Sequence, residues 1–335
     1  MGTRTIVLFG GPSEERHVSV AEAQHVAATL QDVDCWYWAP DGAVHDVPRA
    51  DLFQHEQPFT SEFVPRLPPM ASSLESALDA LSGERPAFFI TLGGVKGEDG
   101  TVQQMLAQRW LAFNGSGPSA SAAALDKART KELLDGVLRL AESRVAHTAE
   151  MLSMAVDAML ERHPKVILKP LRGGSSCGVM VLDRDTPRPS FDRFDLPYMV
   201  ERFIEGRELT AGVIDADGGP MALPVVEIEI RRGGTFDYAA KYLASSAREV
   251  CPASIDEPLR HAAQRAALTA HTRLGCEGYS RTDLIAADDG LYFLELNSLP
   301  GLTASSLFPR ALAAAGIELS RFLADQMTFA ARRAQ

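Results

Sequence analysis

The chain has 335 residues, 46% hydrophobic and 23% charged, which is room for two or three domains with sizeable cores. A net charge of −11 argues against a nucleic-acid-coating surface and against a polybasic membrane anchor, while leaving room for a local basic pocket. The four cysteines, Cys35, Cys177, Cys251 and Cys276, are scattered without C-x-x-C spacing; the N-terminal apolar run is too short for a signal peptide and no stretch reaches membrane-span length, so a cytoplasmic protein with reduced thiols is expected.

In chain order, Thr5 to Phe9 reads as a strand, followed by the turn Gly10-Gly11-Pro12-Ser13 and a helix from about His17 to Leu30. Cys35 to Trp38 is a second strand. The proline-rich span Gln57 to Pro69 is an irregular excursion, and a helix (Leu74 to Leu81) leads to the apolar strand Ala87–Ile90 and the loop Gly93-Gly94-Val95-Lys96-Gly97. This β-α-β alternation predicts an open α/β layer domain over 1–118. An alanine-rich helical run from Ser119 to Leu140 follows. Strands at 165–182, 197–203, 207–214 and 221–230 then predict an antiparallel α+β region. A helix over Glu257–Leu274, strands at 278–286 and 291–297, and alanine-rich helices complete the chain. The divisions are 1–118, 119–200 and 201–335.

The segment KVILKPLRGGSSCGVMVL, residues 165–182, places Gly173-Gly174-Ser175-Ser176 between two β-branched runs, with Lys169 at the base. Such a tip suits closure over phosphate; the plain alternative is an exposed turn. A second constellation is TDLIAADDGLYFLELNSLPG, residues 282–301. Arg281 and Asp283 share one strand face, as do Glu295 and Asn297. A three-residue loop, Asp288-Asp289-Gly290, sets Asp283 opposite Glu295 and Arg281 opposite Asn297. Facing carboxylates repel, so a compensating cation is expected, and Asp283, Glu295 and Asn297 offer the oxygen donors that magnesium takes. The alternative is a solvated face with Arg281 neutralising one acid, which Ile285 and Phe293, expected on the same face, oppose. Lysines at strand ends, a Gly-Ser tip and this acidic set together match the needs of nucleotide phosphates. The chain contains no G-x-x-x-x-G-K-[ST] or G-x-G-x-x-G.

The assembled motifs resemble those of D-alanine–D-alanine ligases of the ATP-grasp superfamily. The likeness runs through FGGPSEERHVSV, GEDGTVQQMLA, GSGPSASAAALDKARTK, LKPLRGGSSCGV, ERFIEGRELT, FDYAAKYL and RTDL…LELNSLPGLTASSL, in the family's order along nearly the whole chain. It implies a three-domain ATP-grasp fold with ATP clamped between the middle and last domains. The reaction implied is attack of an amino-acid carboxylate on ATP, giving an acyl phosphate that a second amino acid's amine displaces. By motif position Lys127 and Lys169 would contact ATP phosphates, Glu201 and Glu208 the adenine and ribose end, and Lys241 the γ-phosphate. Asp283, Glu295 and Asn297 would hold Mg²⁺, while Arg281 and the N–H of Gly301 would steady the oxyanion. Glu15 would bind the first ammonium and join Ser175 and Tyr242 in a hydrogen-bonded set; Ser306 and Leu307 would cradle the second carboxylate. A mobile lid over about 231–250 and a homodimer are further implications. Taken singly, Glu15 reads as a helix N-terminal acid and Tyr242 as a strand aromatic.

Three positions depart from the family pattern: Gly93 where a histidine is usual, Ala239 where glutamate is common, and Tyr279-Ser280 where Trp-Gly is frequent. The first two bear on the amino-acid pocket, and Tyr242 favours an amine over a hydroxy-acid nucleophile. The expected function is D-alanyl-D-alanine formation for peptidoglycan. The alternatives are a same-fold ligase joining other amino acids and an inactive nucleotide-binding regulator.

Overall fold

The computed structural model describes residues 4–174, 177–230 and 247–333. Three sheets organise them. The first has the order β3-β2-β1-β4-β5, from β1 (Thr5–Gly10), β2 (Asp34–Trp38), β3 (Val44–Asp46), β4 (Ala87–Ile90) and β5 (Ala112–Phe113). It is parallel except where β3 turns back on β2. Its central strands, IVLF and AFFI, are fully buried, as a sheet covered on both faces requires. Helix Arg16–Leu30 covers one face, and the C-terminal helix Leu319–Arg333 returns to pack beside it and against β4 and β5. The strand order reverses between β1 and β4, so the loops at Gly10–Ser13 and Thr91–Gly94 border the crevice where open α/β sheets bind ligands.

The second sheet, β6-β9-β7-β8, is antiparallel: β6 (Ser143–Ala146), β7 (Lys165–Pro170), β8 (Met180–Asp183) and β9 (Tyr198–Arg202). Helix Ala149–Arg162 packs on it through Leu152, Val156, Met159 and Leu160, a spacing of three and four that keeps one face apolar. Thr148 starts that helix by accepting the Met151 N–H. Residues 141–164, given no element above, hold both β6 and this helix.

The third sheet runs β13-β12-β10-β14-β15, with β11 paired to β10: β10 (Arg207–Ala216), β11 (Gly219–Ala222), β12 (Val226–Ile230), β13 (Ala247–Val250), β14 (Tyr279–Ala287) and β15 (Gly290–Asn297). Helix Glu257–Leu274 backs it, capped by Asp256 at one end and by left-handed Gly275 at the other. The helical run expected from Ser119 to Leu140 consists of two helices, Pro118–Leu125 and Lys127–Leu134, and ends at Leu134. Asp126 is extended between them, because its carboxylate accepts the N–H groups of Ala128 and Arg129 and starts a new helix. Ala124 and Leu134 of these helices join the core of the third sheet.

Candidate active site

The hairpin β14–β15 has the expected pairing by an unexpected route. Arg281 faces Asn297 and Asp283 faces Glu295, but the turn is only Asp288-Asp289, since Ala287 pairs with Gly290. A two-residue turn alone would put the two acids on opposite faces. A bulge between Asp283 and Leu284 restores the register, pairing Leu284 with Phe293 and leaving Leu294 as the extra residue. The same bulge corrects the expected position of Phe293. It packs in the core with Leu284 and Leu296, and Ile285 pairs with Tyr292 instead.

Asp283 and Glu295 form part of the wall common to two cavities. The larger, about 1130 Å³, is a cleft between the second and third sheets that also meets Lys127, Lys169, Glu201 and Glu208. Lys127 donates to the Gly173 carbonyl at 2.8 Å and stands 3.9 Å from Glu295. Burial lowers the Lys127 ammonium below its ordinary range, with Glu295 opposing. Glu201, 2% exposed, is gripped by Lys169 and by Lys131, whose Nζ reaches Oε1 at 2.7 Å and the Ala141 carbonyl at 2.7 Å. Burial alone would raise the Glu201 carboxyl, but the two lysines outweigh it and hold it low. Lys131 was not among the expected residues. Its signal was an i, i+4 spacing from Lys127 on one short helix.

The smaller cavity, about 120 Å³, sits at the switch point of the first sheet. Glu15, Gly93, Arg281, Asn297, Gly301, Ser306 and Leu307 are among the residues lining it. Glu15 is the residue before helix Arg16–Leu30 but makes no capping hydrogen bond. Its carboxylate instead fills the space a side chain at Gly93 would need: a Cβ there would meet Oε2 at 2.7 Å. Its other oxygen faces Gly174, 3.1 Å from where a Cβ would stand, at the base of the Gly-Ser tip. Arg281 holds both oxygens of Asp283, at 2.9 and 3.0 Å, and Thr210 donates to the same carboxylate at 2.5 Å. Asn297 accepts the Leu299 N–H, and Ser306 accepts that of Thr303. Ser175, Lys241, Tyr242 and Ala239 lie outside the described residues, as does most of the expected lid.

Two further acids enter this pocket that the sequence did not single out. Glu98 accepts the Gly94 N–H at 2.6 Å, and burial together with the Glu15 charge pushes its carboxyl up to about 8. Glu22 is 9% exposed and takes a hydrogen bond from the Leu302 backbone. Its signal was positional: it falls between Val18 and Val26 on the buried stripe of its helix, where a carboxylate is out of place. Among the described residues no lysine or arginine forms an ion pair with Glu15, Glu22 or Glu98.

Comparison with known proteins gives the family and the fold. Residues 4–116 match the family model of the D-ala D-ala ligase N-terminus, and residues 140–328 that of the C-terminus. A D-alanine–D-alanine ligase of Nitrosomonas europaea is 35% identical over 96% of this chain and 97% of its own. One from Syntrophobacter fumaroxidans is 34% identical over 95% and 94%. Among solved structures, the VanG D-Ala:D-Ser ligase from Enterococcus faecalis superposes with a TM-score of 0.81 at 25% identity, covering 98% of this chain and 99% of the other. The three sheets thus have the ATP-grasp arrangement, and the chain belongs to the D-alanine–D-alanine ligase family.

Proposed function

We propose that the protein joins two amino acids in an ATP-dependent reaction through an acyl phosphate, with D-alanine in both positions, supplying a peptidoglycan precursor. The carrying observation is the shared wall: Asp283 and Glu295 border both the large cleft and the small pocket, so a nucleotide's terminal phosphate and an amino-acid carboxylate meet beside them. Lys127 and Lys169 neutralise phosphate oxygens, Lys241 the γ-phosphate, and Glu201 and Glu208 face the adenine and ribose end. The attack brings two anions together, which is why the cations must already be in place. Glu15, with Ser175 and Tyr242, positions the first ammonium; Arg281 and the Gly301 N–H stabilise the oxyanion; Ser306 and the Leu307 backbone hold the second carboxylate. Units at 1–118, 119–200 and 201–335, a lid over 231–250, a homodimer and a cytoplasmic location belong to the same proposal.

The residues suit magnesium. Among the described residues no three His, Cys, Asp or Glu converge on a metal position, but this ion leans on one or two carboxylates plus substrate phosphates. Asp283 and Glu295 beside the cleft and Asn297 in the adjoining pocket are all oxygen donors and would hold it, Asp283 sharing its charge with Arg281. When bound, magnesium supplies positive charge to the phosphate oxygens.

A second reading, with a different second amino acid, is favoured by Gly93, which removes a side chain from the pocket. The test is incubation with ATP, Mg²⁺ and D-alanine, measuring phosphate and dipeptide. Dipeptide from D-alanine alone supports the first reading. Phosphate release only when another amino acid is added supports the second, and no turnover with any amino acid defeats both.

A further inference from the structure

Glu22 is a buried acid that the steps above do not use. Its carboxylate accepts the Leu302 N–H, and His25 on the same helix contacts the Leu302 carbonyl at 2.6 Å, so helix Arg16–Leu30 and the Gly301–Leu302 backbone are tied together. A Cβ at Gly301 would meet Glu22 Oε1 at 2.9 Å and Ser306 Oγ at 3.1 Å. The two oxygens therefore flank one point over Gly301, no more than about 6 Å apart. An α-amino acid carries its nitrogen and carboxylate on a single carbon, and with a hydrogen bond of about 3 Å at each end it bridges that gap. With its carboxylate at Ser306, its nitrogen comes within hydrogen-bond reach of Glu22 beside Gly301. A buried carboxylate without a cationic partner is costly, and an incoming ammonium supplies that partner.

We infer that Glu22 binds the ammonium of the second amino acid and removes one proton from it, generating the amine that attacks the acyl phosphate. This rests on the ligase reading of the pocket. The ammonium gives its proton to the ionised Glu22 carboxylate. The freed electron pair forms the C–N bond, the C–O bond to phosphate breaks, and inorganic phosphate leaves with that pair. A second proton from the new amide nitrogen passes to the departing phosphate.

Facing Glu22 are Glu15, Glu98 from the glycine loop and Tyr279 from β14, while Glu249, Arg281, Asp283 and Glu295 share its cavity. Burial and the Glu98 charge push the Glu22 carboxyl well above the ordinary carboxylate range, with the Leu302 N–H opposing. A carboxylate so raised holds a proton more firmly, which narrows the gap to an ammonium donor. The acceptor must be ionised, so transfer weakens as pH falls through its titration.

The test compares two nucleophiles on the full chain with ATP, Mg²⁺ and D-alanine. Hydroxylamine is largely uncharged near neutral pH and needs no base, so hydroxamate reports the acyl phosphate while dipeptide reports the amine. In Glu22→Gln the dipeptide-to-hydroxamate ratio is expected to fall about 100-fold near neutral pH and to recover as pH approaches the amine's own titration. Glu22→Asp, which keeps the charge but withdraws it by one methylene, should give an intermediate ratio. In the unsubstituted protein, which depends on no variant's folding, the ratio should decline on acidification. An unchanged ratio in Glu22→Gln, or one independent of pH in the unsubstituted protein, overturns the inference while hydroxamate still upholds carboxylate activation. No hydroxamate from the unsubstituted protein overturns the ligase reading and the inference with it.

Discussion

The two cavities treat buried carboxylates in opposite ways. In the large cleft Glu201 is clasped by Lys131 and Lys169 and held low. In the small pocket Glu22 and Glu98 are also buried, yet no lysine or arginine among the described residues pairs with them, and both are pushed up. A pre-paired acid is part of the scaffold: it ties β9 to β7 and to helix Lys127–Leu134 before any ligand arrives. An acid without a cationic partner leaves that place to a ligand, and under the proposal above the substrates' ammonium groups take it. The difference separates an acid neutralised within the fold from acids that the fold leaves without a counter-charge.

The largest expected effect comes from breaking the pairing in the cleft. Lys131→Met removes one of the two ammonium groups on Glu201 and leaves the Ala141 carbonyl without its donor, at a cost of about 3–5 kcal/mol in urea unfolding. A loss below about 1 kcal/mol would mean that Glu201 is scaffolded by Lys169 alone.

Next is the pH dependence of the pocket. Between the ordinary 4.5 and about 8, the folded protein holds a proton on Glu98 that the unfolded chain has released. Stability therefore falls as pH rises through that window, and Glu22 acts in the same direction. Glu98→Gln should flatten the slope of unfolding free energy between pH 5 and pH 8 while still accepting the Gly94 N–H. A slope unchanged by the substitution would remove the contrast with Glu201.

The smallest effect is at Gly93. An added methyl would press on Glu15 Oε2, which can swing aside because it ends a flexible side chain. Gly93→Ala should raise KM for the first amino acid about three- to tenfold, on the order of 1 kcal/mol, with ATP affinity unchanged. Equal losses in both would place Glu15 in the nucleotide cleft instead.

Most of the first sheet and the acidic hairpin were legible because short apolar strands and glycine turns carry strong local signals, as in AFFI and the loop after it. The facing of Asp283 and Glu295 was also legible, but its cause was not. Asp-Asp-Gly suits either turn length, and the bulge at Leu284 depends on which of Phe293 and Leu294 the core accepts. Helix Ala149–Arg162 had a readable stripe and cap. Glu22 and Lys131 were harder, since their importance depends on Gly301 and Glu201, 279 and 70 residues away in the chain, and no local spacing encodes such contacts.

The account depends most on the hairpin carboxylates serving phosphoryl transfer. The direct measurement is phosphate release from ATP with D-alanine and Mg²⁺ in Asp283→Ala and Glu295→Ala, alongside circular dichroism to check the fold. Loss of several kcal/mol of transition-state stabilisation predicts rates down about 1000-fold or more in both, with folding intact. Near-normal rates in both variants would contradict it.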